Sequence, residues 1–204
     1  MKLALLYGLL VLMFVVAIYV ITTQGAGEPA HDHNSHYHPP TEVHEHADFL
    51  MVLDGQTIDL SLDKYQSGLE TGVKHSGIHL HDNQGNILHR HAEGVTIGDL
   101  LTSIGFELTS DCITTDTGET YCEDADKALL LYVNGLPQDP IAEYIVADED
   151  QVLLYYGDQN LAELQSLLGS ITDEACIYSG TCPERGTPPP EACGLTCEVA
   201  PEDL

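Results

Sequence analysis

Apolar and polar positions along this chain of 204 residues fall into blocks of different period. The first block is continuous. From Leu3 to Ile21 no residue is charged, and an apolar run of about 20 residues matches the hydrocarbon thickness of a bilayer in helical form. A secretory signal peptide has a shorter apolar core, about 7–15 residues, and a small-residue cleavage site. Thr22–Gly27 offers only a weak Ala-x-Ala-like stretch, so the pattern predicts an uncleaved transmembrane anchor over residues 1–22. Lys2 lies on its short side and no basic residue follows until Lys64. The positive-inside rule then gives a single-pass membrane protein with a cytoplasmic N-terminus and its soluble part outside.

Residues 23–43 show no apolar period and are rich in Gly, Pro and His, the composition of a linker. A compact domain is expected over residues 44–158. Two β-prone runs, Ala47–Leu53 and Gln56–Leu60, flank Asp54-Gly55 and predict a hairpin. A second hairpin is expected from Gly77–His81 and Ile87–His91, separated by the turn formers Asp82–Asn86. Thr96 with Asp99 reads as an acidic capping box, followed by an apolar stripe of Ile97, Leu100, Leu101 and Ile104 and a C-cap at Gly105. Residues 106–127 read as irregular, and strands return at Ala128–Val133 and Gln151–Tyr156. Residues 159–170 suit a short amphipathic helix carrying Leu161, Leu164, Leu167 and Leu168. Residues 171–204 form a Cys- and Pro-rich tail with little apolar material.

Three segments in this order, Gly94–Leu101, Tyr132–Gly135 and Tyr144–Leu154, resemble the β-grasp superfamily, above all its transcobalamin C-terminal-like and SLBB-type extracytoplasmic modules. The resemblance spans about residues 77–157. It implies an α+β fold: after the transmembrane helix, a β-grasp-like mixed sheet with one packed helix, an extra N-terminal hairpin and the Cys-rich tail. It brings no function, because that fold serves many. The segments His44–Phe49 and Cys182–Gly186 are also similar to segments of anchored histidine-rich proteins to which no activity attaches.

Composition narrows the function classes. Lys and Arg total 6 against 33 Asp and Glu, a formal net charge of −27. Nucleic acids and anionic lipid surfaces are excluded as partners, since both need a basic face. Cys112, Cys122, Cys176, Cys182, Cys193 and Cys197 form an even set in an extracytoplasmic chain, which points to disulfides. Cys112 and Cys122 most simply staple a hairpin, while the pairing of the other four stays open. No Cys-x-x-Cys redox motif, nucleophile elbow or phosphate-binding glycine loop is present.

All eleven histidines lie between His31 and His91, and ten form His-x-His pairs. Along a strand, residues two apart point the same way at about 6.5–7 Å. Two such imidazoles can lean onto one ion at about 2.0–2.1 Å. If Asn83–Gly85 form the second loop, His79 lies opposite His89 and His81 opposite Ile87. His75, His79, His81, His89 and His91 then share one open face, with Ile78, Leu80 and Leu88 on the other. His44 and His46 can join that face. Asp48, Asp82 and Glu93 are auxiliary ligands or acceptors for the ring protons, and His31, His33, His36 and His38 are looser donors in the linker. The donor set suits zinc or copper(II).

The expectation is a non-enzymatic, membrane-tethered metal-binding module. Its rivals are an acidic, disulfide-stapled structural or adhesion protein, a thiol–disulfide exchange protein, and a metalloenzyme with Glu45 or Glu93 as base.

Overall fold

The structure is a computed structural model and describes residues 43–68 and 70–189. Its first strand, β1 (Glu45–Leu53), sends Ala47, Phe49, Met51 and Leu53 to one face and His46, Asp48, Leu50 and Val52 to the other. Nearly every residue of β1 is buried, because it runs through the middle of a mixed sheet. The further strands are β2 (Gln56–Thr57), β3 (Ile78–His79), β4 (Ile87–Arg90), β5 (Glu107–Leu108), β6 (Cys112–Thr114), β7 (Thr120–Cys122), β8 (Lys127–Val133), β9 (Leu136–Gln138) and β10 (Gln151–Asp158). The helices are α1 (Ile97–Ser103), α2 (Leu161–Leu168) and α3 (Ala175–Tyr178). The main sheet has seven strands in the order β3-β4-β1-β10-β8-β9, with β2 attached to β1. β1 and β10 run parallel, from Asp48 opposite Gln151 to Leu53 opposite Tyr156, and the other pairs are antiparallel.

Both faces are covered. On one, α1 lays Ile97, Leu100 and Leu101 against Phe49, Met51, Leu131, Val152 and Leu154. Its start is fixed by a reciprocal cap: Thr96 Oγ1 accepts the Asp99 N–H at 3.2 Å, and Asp99 Oδ2 accepts the Thr96 N–H at 2.9 Å. On the other, Leu164 of α2 packs with Val52, Leu153 and Tyr155. Each such buried Leu or Phe contributes roughly 1.5–3 kcal/mol. Residues after Asp158 thus belong to the packed body as far as Cys182, which bonds to Cys176.

The expected architecture needs correcting. β1 is no part of an appended N-terminal hairpin; it is a central strand, because its two apolar-and-polar faces are both filled only between β4 and β10. The hairpin across Asp54-Gly55 does turn there, with φ of 52° and 76°, but β2 is two residues long. Residues 106–127 are not irregular: β5, β6 and β7 form a small second sheet, and the disulfide Cys112–Cys122 joins directly paired residues. Nor do the described residues contain the expected transmembrane helix. The anchor over residues 1–22 lies outside the described residues, as do residues 23–42 of the linker and 190–204 of the tail. Among the described residues no helix is long and apolar enough to cross a membrane. The longest has 8 residues, whereas a span needs about 20.

Asp150 ties the β8–β9 turn to the start of β10. Its carboxylate accepts from Asn134 Nδ2 at 2.8 Å, the Tyr144 hydroxyl at 2.7 Å and the Ala147 N–H at 2.8 Å. Burial first, and the bond to Asp150 second, push the Tyr144 phenol well above its ordinary value. Asp150→Ala takes a buried acceptor from three partly exposed donors, so unfolding free energy falls by about 1–3 kcal/mol in urea titration. A loss under about 0.5 kcal/mol would show the three bonds to be incidental.

Candidate metal centre

Strand register builds the centre. His46 of β1 stands opposite His89 of β4, and His89 stands opposite His79 of β3. Directly opposed residues share a face, so three histidines lie abreast across three strands. Positions two along the chain from these add His44, His81 and His91 to the same side. Ring centroids confirm one continuous cluster: His44–His46 4.7 Å, His46–His89 4.8 Å, His44–His91 4.8 Å, His79–His91 5.0 Å and His81–His89 3.8 Å. Ile78, Leu80 and Leu88 point the other way, into the core under α1.

The hairpin that carries four of these rings keeps the expected pairing of His79 with His89 but leaves the ladder earlier than expected. Asp82 and Asn83, at φ of 56° and 58°, make the turn, and the Gln84 N–H bonds to the His81 carbonyl at 3.0 Å. His81 does not pair with Ile87; it bridges to Ser67, because the chain leaves the ladder after His79. Gly85 lies where residues 60–61 cross the hairpin, and a Cβ there would meet Ser61 N at 2.5 Å. The histidine face is not open either. His46, His79, His81 and His89 are at most 1 % exposed, while His44 is exposed at the edge. Tyr178 of α3 lies over the cluster, its ring 5.7 Å from His46 and 5.6 Å from His89.

Three of the rings already converge. One ligand atom each from His44, His46 and His89 lie within 4.8 Å of one another, the one such group among the described residues. Nitrogens bound to a tetrahedral ion stand about 3.4 Å apart, so small ring rotations close the gap. This trio could hold a metal ion.

Hydrogen bonds assign the ring protons. His79 Nδ1 lies 2.8 Å from the His75 carbonyl, which can only accept, so Nδ1 carries the proton and Nε2 the lone pair. His81 Nδ1 donates in the same way to Asp82 Oδ2 at 2.8 Å. His75 is of the opposite kind: its Nδ1 accepts the N–H groups of Gly77 at 3.1 Å and Ile78 at 3.2 Å. A neutral His75 ring therefore carries its proton on Nε2 and shapes the entry to β3 instead of serving as a donor atom.

The auxiliary candidates separate too. Asp82 serves as the acceptor for His81. Asp48 is an anchor: its oxygens accept Thr172 Oγ1 at 2.5 Å, the Glu174 N–H at 2.9 Å and the Ala175 N–H at 3.1 Å. Glu93 is exposed in the turn before α1. Glu45 pairs with Arg90 on the sheet face away from His46. His31, His33, His36, His38, Cys193 and Cys197 lie outside the described residues. Sequence reasoning missed Ser179 and Asp148, which contact His46 from over a hundred residues away; no local pattern signals such a pair.

The chain matches no family model, no curated protein and no solved structure in comparisons of its sequence and fold. The likeness to β-grasp modules gains no support from them, and the functional reading stands on the site alone.

These assignments predict ring tautomers. Long-range nitrogen–proton NMR spectra of the metal-free protein near pH 8 should show His79 and His81 protonated on Nδ1 and His75 on Nε2. Finding His79 in the Nε2–H form would contradict the geometry.

Proposed function

We propose that this protein is a metal-binding module of an oxidising, extracytoplasmic compartment, holding zinc or copper(II) through the histidine cluster. The observation that carries the reading is the convergence of the His44, His46 and His89 donor atoms within 4.8 Å. Burial adds weight. An apolar side chain would fill the interior positions of His46, His79, His81 and His89 without a polar atom to satisfy, and the sheet uses imidazole at every one of them. The all-nitrogen donor set suits zinc or copper(II) over magnesium or calcium, which take oxygen. Exposed His44 gives an ion a way in. The disulfides Cys112–Cys122 and Cys176–Cys182 favour an oxidising compartment. Glu45, engaged by Arg90 on the opposite face, is no base for this site, which favours binding over hydrolysis as its task.

The test is metal analysis of the full chain produced in an oxidising compartment and dialysed against zinc or copper(II). Wild type should retain about one equivalent of one of them per chain, from its single converged trio. His46→Ala with His89→Ala should retain almost none. His75→Ala should keep the ion while losing about 1–2 kcal/mol of stability, since it removes the acceptor for two N–H groups. Equal metal content in wild type and the double variant would sink the reading.

A further inference from the structure

The disulfide Cys176–Cys182, with a sequence separation of 6, closes a loop that contains Tyr178 and Ser179. Ser179 Oγ lies 3.0 Å from His46 Nδ1 and donates its own proton to Asp148 Oδ1 at 2.5 Å. That same carboxylate oxygen accepts the backbone N–H of His46 at 3.0 Å. With its proton committed to Asp148, Ser179 meets the imidazole as an acceptor. His46 Nδ1 therefore carries the hydrogen, and the Nε2 lone pair remains for coordination.

The loop is gripped at both ends by the histidine strand and the turn that leads into β10. Before it, Asp48 accepts the Glu174 and Ala175 N–H groups. At its far end, the Thr181 hydroxyl bonds to Glu149 Oε1, and the Thr181 N–H bonds to the Cys176 carbonyl at 3.0 Å. The Glu149 N–H in turn bonds to the His46 carbonyl at 2.7 Å. The Thr181 N–H bond is internal to the loop; the others lead to Asp48 directly or, through Glu149, to His46.

We propose that the 176–182 loop is a built part of the metal centre, with Ser179 and Asp148 as positioning residues for His46 and the Cys176–Cys182 bond setting the affinity of the site. The inference rests on the metal-binding reading of His44, His46 and His89. Its physical basis is twofold. An outer hydrogen bond that orients an imidazole fixes its tautomer and raises its basicity as a ligand. Opening the loop adds the ordering of a freed segment to the binding equilibrium, which weakens binding without removing any ligand.

The experiment measures zinc and copper(II) affinity of the full chain, with its disulfides formed, by competition against a chromogenic chelator. Four variants accompany wild type: Ser179→Ala, Ser179→Thr, the pair Cys176→Ala with Cys182→Ala, and the remote pair Cys112→Ala with Cys122→Ala. Ser179→Ala should raise Kd about 10–100-fold, the usual effect of losing an orienting partner, at unchanged stoichiometry. Ser179→Thr should restore affinity, opening the 176–182 loop should weaken it at least as much as Ser179→Ala, and opening the 112–122 staple should leave it unchanged. If the loop pair does not fold, Ser179→Ala with native circular dichroism decides alone. Wild-type affinity in Ser179→Ala overturns the proposal while leaving the metal reading intact. A wild-type chain that takes up neither ion removes both, a distinguishable result.

Discussion

The structure depends on one register. In a sheet whose side chains alternate with period two, sliding β4 by a single residue against β1 would send His89 into the apolar core and Leu88 onto the other face. The pairing of His46 with His89, and of His89 with His79, is held by what lies beneath it: Ala47 and Leu88, buried against α1, fit only that alignment. The apolar layer thus sets the position of the polar one. The imidazoles are placed by hydrophobic packing on the far side of the same strands, and their hydrogen bonds to Asp82, Ser179 and the His75 carbonyl then orient rings already brought together.

Charge works over a longer range. Four of the chain's 6 basic residues are tied up in ion pairs: Lys64 with Asp116, Arg90 with Glu45, Lys127 with Asp54 and Arg185 with Asp173. Most of these are exposed and add little stability. Their effect is to neutralise most of the few cations, leaving the acidic excess as a net negative potential. Such a potential raises the local concentration of divalent cations around a protein and speeds their capture. It is screened within about 8 Å at physiological salt, so on the metal-binding proposal it would assist encounter and leave selectivity to the rings.

Much of the local structure was legible in the sequence, and the long-range structure was not. The capping box at Thr96, the Asp54-Gly55 turn and the strands β8 and β10 all have signals within a few residues. So does the segregation of Ile78, Leu80 and Leu88 from His79 and His89. The position of β1 was misread because hairpin chemistry names a strand's sequential partner only. Its dominant neighbour, β10, lies at the other end of the domain, and a continuous apolar run does not say which strand it will join. In residues 106–127 the cysteine spacing announced the stapled hairpin, but its strands were missed because short, threonine-rich strands such as β6 and β7 look like loop by composition. Asp48 looked like a ligand because it shares a face with His46; its partners at residues 172–175 are up to 127 positions away.

The parallel pairing of β1 with β10 also fixes the order in which the molecule can be completed. A strand near the start of the domain must wait for one synthesised about a hundred residues later, and contacts of such high sequence separation make folding slow. During that interval the histidine hairpin has no Tyr178 above it and no Ser179 beside it. Newly made chains therefore present a string of imidazoles able to scavenge ions loosely before the finished pocket exists. On the metal-binding proposal, assembly of the carboxyl-terminal part would convert that indiscriminate grip into a defined one, and maturation would itself act as a proofreading step.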